Sequence, residues 1–265
     1  MQYAFHAIRN NFRARIQYRL SFFLDFLSQF IMTLGDLLAV TILMTRFSSL
    51  GQWSREEVLL FFACMQISFA AAEAINRGLT RTSALILDGS LDAMLLRPRG
   101  IAMQLVLSDF DPRRLGSIAV GLIVLFRVLP SLSITWSALN VLLFIFAIIG
   151  CVFLLMGLFF LDAAFCFVTL RSTEAVNVLT YGGRTCCQYP VDIYPGPLKV
   201  LFLYLAPLGL CLHVPLAALL GKPLSPLPPL SPAVSLLCSL LGPLFFACMY
   251  LLFRLALHRY ASAGA

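Results

Sequence analysis

The chain has 265 residues, of which 60% are hydrophobic and only 12% are charged, and its mean hydropathy is +0.92. Soluble domains carry about a quarter charged residues, so this composition excludes an ordinary water-soluble domain. The net charge of +7 comes mainly from arginines that lie between apolar runs. That distribution is typical of a membrane protein that obeys the positive-inside rule, and it gives no reason to expect a nucleic-acid partner.

The first 19 residues contain four arginines among apolar residues that recur at helical spacing. No continuous apolar core and no small-residue cleavage site precede the first long apolar run, so the pattern is not that of a cleavable signal peptide. We therefore expect residues 1–19 to form an amphipathic helix on the inner leaflet, with its arginines toward the lipid headgroups.

Five apolar segments are long enough to span a bilayer, which takes about 20 residues of helix. The runs from Val141 to Leu161 and from Ala233 to Phe253 contain no charge, and the other three hold one or two acids or an arginine. The predicted spans are residues 21–45, 58–75, 115–135, 141–168 and 233–253. The pattern predicts an all-α membrane protein, because spanning helices satisfy their own backbone hydrogen bonds.

A sixth span falls within residues 174–222, where two placements are open. One is a polar-apolar stretch that ends near Pro190, and the other is the apolar run 200–220, which Pro207 and Pro215 interrupt. Eleven of the 14 prolines lie at or after Pro190, a concentration that favours broken or re-entrant helices here.

Either placement gives an even number of spans, so both termini lie on one side of the membrane. With the N-terminus inside, 13 of the 19 basic residues fall on the inner side and four on the outer side. This asymmetry predicts that both termini are cytoplasmic.

The long loop between the second and third spans contains LILDGSLDAMLLRPRG, residues 85–100. Its apolar residues have helical spacing, and Arg97-Pro98 ends the pattern, so we expect a short helix over residues 85–96. A partly apolar helix in such a loop must dock either on the protein's own helices or on a partner.

Four segments together resemble the permeases of type-2 ATP-binding-cassette (ABC) exporters, in particular a bacterial subfamily. They are ILDGSLDAMLLRP, SDFDPRRLG, YGGRTCCQYPVDIYPGPLK and the terminal RYASAGA, in that order. The resemblance implies six spanning helices, an N-terminal interfacial helix and a multi-pass location in the bacterial inner membrane. It also makes residues 173–190 the fifth span and residues 196–222 re-entrant segments on the outer side.

The resemblance further implies that residues 85–96 form a coupling helix seated in a groove of a separate ATPase subunit. ATP and magnesium would bind to that ATPase, and the permease would pair with a second copy or a paralogue among the membrane lipids. The residues expected to contact the ATPase are Asp88, Leu91, Asp92, Met94, Leu95 and Arg97.

Ionisable residues inside spans are costly and are therefore candidates for function. Asp36, Asp162 and Arg184 are candidates for the transport path, with an ion pair inside the helix bundle as the alternative, whereas Glu73 and Arg127 fit positions near the membrane surface. No phosphate-binding loop is present in the sequence, nor any catalytic or metal-binding pattern.

The sequence thus favours the permease subunit of an ABC exporter, which is not itself an enzyme. The alternative is a membrane-embedded assembly factor or a secondary transporter that works without an ATPase. Neither the substrate nor the choice between a homodimer and a heterodimer follows from the sequence.

Overall fold

The computed structural model describes residues 19–47, 49–169, 174–224, 227–228 and 230–260. Within them all regular structure is helical, apart from a single β-bridge between Leu50 and Trp53. Five helices are long and apolar enough to cross a membrane, or six if one bent pair counts as a span. The predicted all-α membrane class is confirmed. The interfacial helix predicted over residues 1–19 lies outside the described residues, except for Arg19, which begins the first helix.

Twelve α-helices are described within these ranges. In chain order they are α1 (Arg19–Arg46), α2 (Arg55–Asn76), α3 (Thr82–Leu87), α4 (Ser90–Leu95), α5 (Ile101–Ser108), α6 (Leu115–Val128), α7 (Ala138–Thr169), α8 (Glu174–Asn177), α9 (Gly183–Cys186), α10 (Gly196–Val200), α11 (Val214–Leu219) and α12 (Pro232–His258). Short 3-10 helices at Leu79–Arg81, Pro112–Arg114, Leu129–Ser131 and Val191–Ile193 connect them. Turns of π-helix occupy Val178–Gly182, Leu201–Leu205 and Gly209–His213.

Local sequence signals explain where several helices begin and end. Ser54 caps α2 in a capping box: Glu57 Oε2 accepts from Ser54 N at 2.7 Å, and Ser54 Oγ accepts from Glu57 N. α6 ends at Val128, before the predicted end at 135, because Pro130 lacks the N–H that would continue the helix. α12 runs five residues beyond the predicted end at 253, to His258.

The prediction of a single helix over residues 85–96 is wrong in one respect, because the structure has two short helices there, α3 and α4. They meet at Gly89, whose φ of +71° is a conformation that favours glycine. Asp88 Oδ1 accepts hydrogen bonds from the Ser90 backbone N–H at 2.9 Å and from the Ser90 hydroxyl at 2.6 Å. These bonds hold the pKa of Asp88 below its ordinary value. We call the unit formed by α3, Gly89, α4 and the C-cap residue Leu96, residues 82–96, the elbow.

α2 lies at the centre of the bundle. In its apolar window 83% of the residues are buried, against 11% for α1 and 17% for α12. Small residues let the other helices approach one another closely. A Cβ on Gly116 of α6 would lie 2.6 Å from Phe26 O of α1, and the hydroxyls of Thr33 and Ser117 bond at 2.8 Å beside it.

Contacts at the start of α2 show how residues 190–223 are placed. Trp53 Nε1 donates to Asp192 Oδ1 at 2.8 Å, and Lys222 Nζ donates to Glu57 Oε2 at 2.7 Å. Both ends of the segment 196–219 therefore lie at the end of the bundle where α2 begins. Between them, two helical arms, Gly196–Leu205 and Gly209–Leu219, meet at an angle of 78°.

Candidate functional site

Two of the predicted transport-path residues form an ion pair with each other. Arg184 Nη2 lies 2.6 Å from Asp36 Oδ2, and Arg184 Nε donates to Gln66 Oε1 at 2.9 Å. The guanidinium also lies over the Phe69 ring, 5.2 Å from its centre. Asp36 and Gln66 both lie near the middle of long apolar helices, so the pair lies about halfway along the bundle, with Asp36 partly exposed.

Arg184 is carried by the helical segment 174–186, in which α8, a π-turn and α9 follow one another. A π-turn changes the face that later side chains present, and such turns are frequent at functional sites. Gly183 packs closely on the bent pair, since a Cβ there would lie 2.8 Å from Leu208 Cδ1. This packing fixes the height of Arg184 in the bundle.

A second ionic cluster surrounds Glu73 near the end of α2. Its carboxylate is fully buried and accepts hydrogen bonds from Arg114 and, at 3.1 Å, from the Tyr181 hydroxyl. Arg77, the C-cap residue of α2, lies 3.8 Å away. Burial of this kind is tolerated only when a charge has partners, which Glu73 has on three elements.

Asp111 binds Arg113, two residues further along the chain, through both of its carboxylate oxygens. Arg113 Nε lies 2.7 Å from Oδ1 and Arg113 Nη2 lies 2.9 Å from Oδ2. Burial raises the pKa of Asp111, but the hydrogen bonds and charge of Arg113 outweigh it and hold the pKa below its ordinary value. Asp111 also accepts from Arg113 N and so caps the turn that begins α6.

A cavity of about 560 Å³ joins the two ionic clusters. One wall is a face of α1, and the others come from the end of α2, the start of α6 and the segment 174–186. The lining residues are Gln29, Met32, Gly35, Asp36, Arg77, Arg113, Arg114, Tyr181 and Arg184. We call this space the arginine cavity.

The third predicted path residue, Asp162, is not part of this cavity. It lines a neighbouring space of about 300 Å³ with Thr80 and Arg81, near the elbow. Arg77 and Tyr181 line both spaces and so separate them. Arg127 lies elsewhere, in an open cleft of about 1240 Å³ between α1, α2 and α6.

The elbow presents a different apolar surface from the one expected. Leu91 is 0% exposed and packs in the protein's own core, and Met94 packs against the same core. Leu91 was expected to fill a partner's groove, but in this structure the protein's own bundle already covers its face of α4. The exposed apolar side chains are Leu87 at 69%, Leu95 at 41% and Leu96 at 87%.

Two polar side chains hold the elbow in place. Gln104 Nε2 donates to Met94 O and to Arg99 O, each at 3.0 Å. The Tyr260 hydroxyl, just after α12, donates to Asp92 Oδ1 at 3.3 Å. Asp88 and Arg97 are exposed. Asp92 thus contacts the protein's own C-terminal region, while Asp88 and Arg97 face outward.

A family model described as "ABC-2 family transporter protein" matches residues 30–264. The chain belongs to the ABC-2 transporter family. No curated protein and no solved structure matches it significantly. As an ABC-2 protein it is a membrane component of a transporter, and the match covers the elbow, both ionic clusters and, except for Gln29, the lining of the arginine cavity.

Several residues of this ABC-2 site were not identified from the sequence. Gln66 and Tyr181 carry no charge, so a search for charged residues inside the spans does not identify them. Gln66 bonds to Arg184 and Tyr181 bonds to Glu73, which that search did identify. Asp111, Arg113 and Arg114 stood out only as part of the SDFDPRRLG segment. In the described residues no group of three His, Cys, Asp or Glu side chains is placed to hold a metal ion.

Proposed function

We propose that this ABC-2 protein is the permease subunit of an exporter in the bacterial inner membrane. It would work as a dimer with a second copy or a paralogue, with both termini cytoplasmic. A separate ATPase subunit would bind ATP and magnesium and drive it. The family match over residues 30–264 is the observation that carries this proposal.

The elbow supports the proposed contact with an ATPase. It combines a buried anchor, Leu91, with exposed apolar side chains at Leu95 and Leu96. Gln104 and Tyr260 tie the same unit to α5 and to the end of α12. A surface that is rigidly tied to spanning helices can pass a partner's movement to them, which is the packed two-state element that coupling needs.

The arginine cavity supports a transport path beside α1. α1 is the least buried of the five long helices, and Asp36 faces the cavity from it. A second permease chain that covers α1 would enclose the Asp36–Arg184 pair between the two copies. The proposed path therefore runs at the dimer interface, beginning from the cavity.

The proposed topology predicts which positions react with thiol reagents. In a cysteine-free background, Ser49→Cys and Gly196→Cys should react with a membrane-impermeant reagent in intact cells, because both lie at the end of the bundle where α2 begins. Ala93→Cys, exposed on α4, should react only with a permeant reagent. Labelling of position 93 from outside would reverse the orientation, and labelling of position 196 only from inside would make residues 200–220 the fifth span.

The proposed coupling surface predicts that the double variant Leu95→Ala/Leu96→Ala loses its ATPase. Fully burying one leucine contributes about 1.5–3 kcal/mol, and each 1.4 kcal/mol is about a tenfold change in affinity. We expect at least tenfold less ATPase to co-purify with the variant and transport to fall. Its stability should not change, because both side chains are exposed in the isolated chain.

Two controls make this test specific. Leu139→Ala/Leu142→Ala removes two exposed leucines from α7 at the far end and should keep the ATPase. Leu91→Ala should instead lower the stability of the permease by about 2–5 kcal/mol, since it leaves a hole in the core. Retention of the ATPase by the Leu95/Leu96 variant would exclude this coupling surface. A wild-type chain that transports without any ATPase would favour the secondary transporter.

A further inference from the structure

The arginine cavity has an unusual distribution of charge between its wall and the layer behind it. Among the residues that the structure describes, four guanidinium groups line it, those of Arg77, Arg113, Arg114 and Arg184, and Asp36 is the one carboxylate of the lining. The acids that pair with the first three arginines lie behind them. The side chains of Glu73 and Asp111 are 0% and 1% exposed, so a ligand in the cavity would meet the arginines and, of these acids, only Asp36, which is paired with Arg184.

These arginines have N–H groups that form no hydrogen bond with the described residues. A guanidinium has five N–H groups, and the bonds to described residues use two in Arg113, two in Arg184 and one in Arg114. Arg77 reaches its acids only at 3.8 and 4.0 Å, beyond hydrogen-bond distance. Arg114 Nε is buried without an acceptor among the described residues. Carboxylates and phosphates are the acceptors that match such planar forks.

The cavity also opens on an apolar surface. Met32, which lines it, is 69% exposed, and its neighbour Ile31 is 57% exposed. At about 560 Å³ the space has the size of a pocket for a small organic molecule and exceeds the needs of one inorganic anion. At Gly35 a Cβ would meet nothing within 4 Å, so the backbone of α1 leaves free space at the wall.

We propose that the arginine cavity binds an amphiphilic anion, with its phosphate or carboxylate head among the four arginines and its alkyl chain along the exposed face of α1. This inference rests on the proposed transport function and names the class of substrate. Asp36 holds Arg184 in the wall from the α1 side, and the buried Glu73 and Asp111 hold Arg114 and Arg113 from behind. The anion would accept hydrogen bonds from the arginine N–H groups that do not bond to these acids.

The test measures binding to the purified permease in a neutral detergent, without ATPase, by native mass spectrometry. The probes are decyl phosphate, decyltrimethylammonium, which has the same chain and the opposite charge, and inorganic phosphate, which is the head alone. We expect decyl phosphate to bind at least tenfold more tightly than either of the others. Equal binding of the two decyl compounds would overturn the proposal, and tight binding of inorganic phosphate would replace the amphiphile by a free anion.

Variants locate the site. Arg184→Gln and Arg113→Gln should each weaken decyl phosphate binding at least about tenfold, since each removes charged hydrogen bonds. Arg127→Gln is the matched control outside the cavity and should have no effect. Gly35→Leu keeps every charge but fills the cavity, and should weaken binding, whereas Ala39→Leu, exposed on the same helix outside the lining, should not.

Loss of binding in Arg127→Gln with retention in Arg184→Gln would overturn the proposal, as would full binding by Gly35→Leu. This assay contains no ATPase, so its failure is distinct from failure of the proposed function. ATP-driven transport by a permease that does not bind decyl phosphate would reject the anionic substrate alone. Binding of decyl phosphate by a chain that proves to transport without an ATPase would reject the ABC exporter and leave the anion site.

Discussion

Replacing Gly242 with leucine is expected to prevent α12 from packing on α7. A Cβ on Gly242 would lie 1.9 Å from Gly150 O, and a Cβ on Gly150 would lie 2.3 Å from Ser239 O. In both cases the obstacle is the backbone of the other helix, which cannot turn aside as a side chain can. Interfaces between membrane helices depend on such small residues, because lipid provides no hydrophobic drive to bring the helices together.

We therefore expect Gly242→Leu to give almost no monodisperse protein after extraction in mild detergent and gel filtration. The same change at Gly35, where nothing lies within 4 Å of the added atom, is the matched control and should give the wild-type yield. Wild-type amounts of monodisperse Gly242→Leu protein would show that the two helices are not in backbone contact.

The second large effect is expected at the Asp36–Arg184 pair. Removing one partner of a buried ion pair leaves an uncompensated charge and costs about 3–5 kcal/mol. Because the Asp36 side chain is 41% exposed, we expect the lower end of that range for Arg184→Ala, which strands the acid. The double variant Asp36→Ala/Arg184→Ala should cost less than the two single changes together, since no charge is stranded.

A double-mutant cycle on SDS-induced unfolding of the purified protein measures this coupling. Thr45→Ala in the last turn of α1 is a control that should leave the effect of Arg184→Ala unchanged, because the Thr45 hydroxyl bonds within its own helix, to Ile42 O. Additive losses for Asp36 and Arg184 would mean that the two residues do not pair in the folded protein.

The long helices could be predicted from the sequence because hydropathy and length decide what can cross a bilayer. The helices α1, α2, α7 and α12 begin within about three residues of the predicted spans, since uncharged apolar runs have little alternative in lipid. Their packing order was not predictable, because it depends on where glycines such as Gly150 meet partners far along the chain.

The elbow shows why short helices are harder to predict. The apolar spacing of residues 85–96 was read as one helix, but Gly89 and the Asp88–Ser90 bonds interrupt it. Which apolar residues face outward was also not fixed by spacing. Leu91 and Leu95 lie on the same helix, yet only tertiary contacts decide that Leu91 is covered by the bundle and Leu95 is not.

Only part of the candidate site was predicted from the sequence, namely Asp36 and Arg184, and the contact between these two residues was not. The cost of charge in lipid singled out Asp36 and Arg184, while their separation of 148 residues hid the fact that they pair. Asp162, chosen by the same rule, lines a different cavity. The arginine cavity as a whole could not be predicted, because it is assembled from four separate elements.

The central claim is that this chain is one subunit of an ATP-driven complex, and the mass of the intact complex tests it most directly. Tagged protein extracted from its native membrane in mild detergent should be recovered as two permease chains, each 29.3 kDa if both are copies of this chain, with two ATPase subunits. The Leu95→Ala/Leu96→Ala variant should be recovered as the permease dimer without ATPase. Recovery of the wild-type chain alone, with no ATP-hydrolysing subunit attached under conditions that preserve other membrane complexes, would contradict the account.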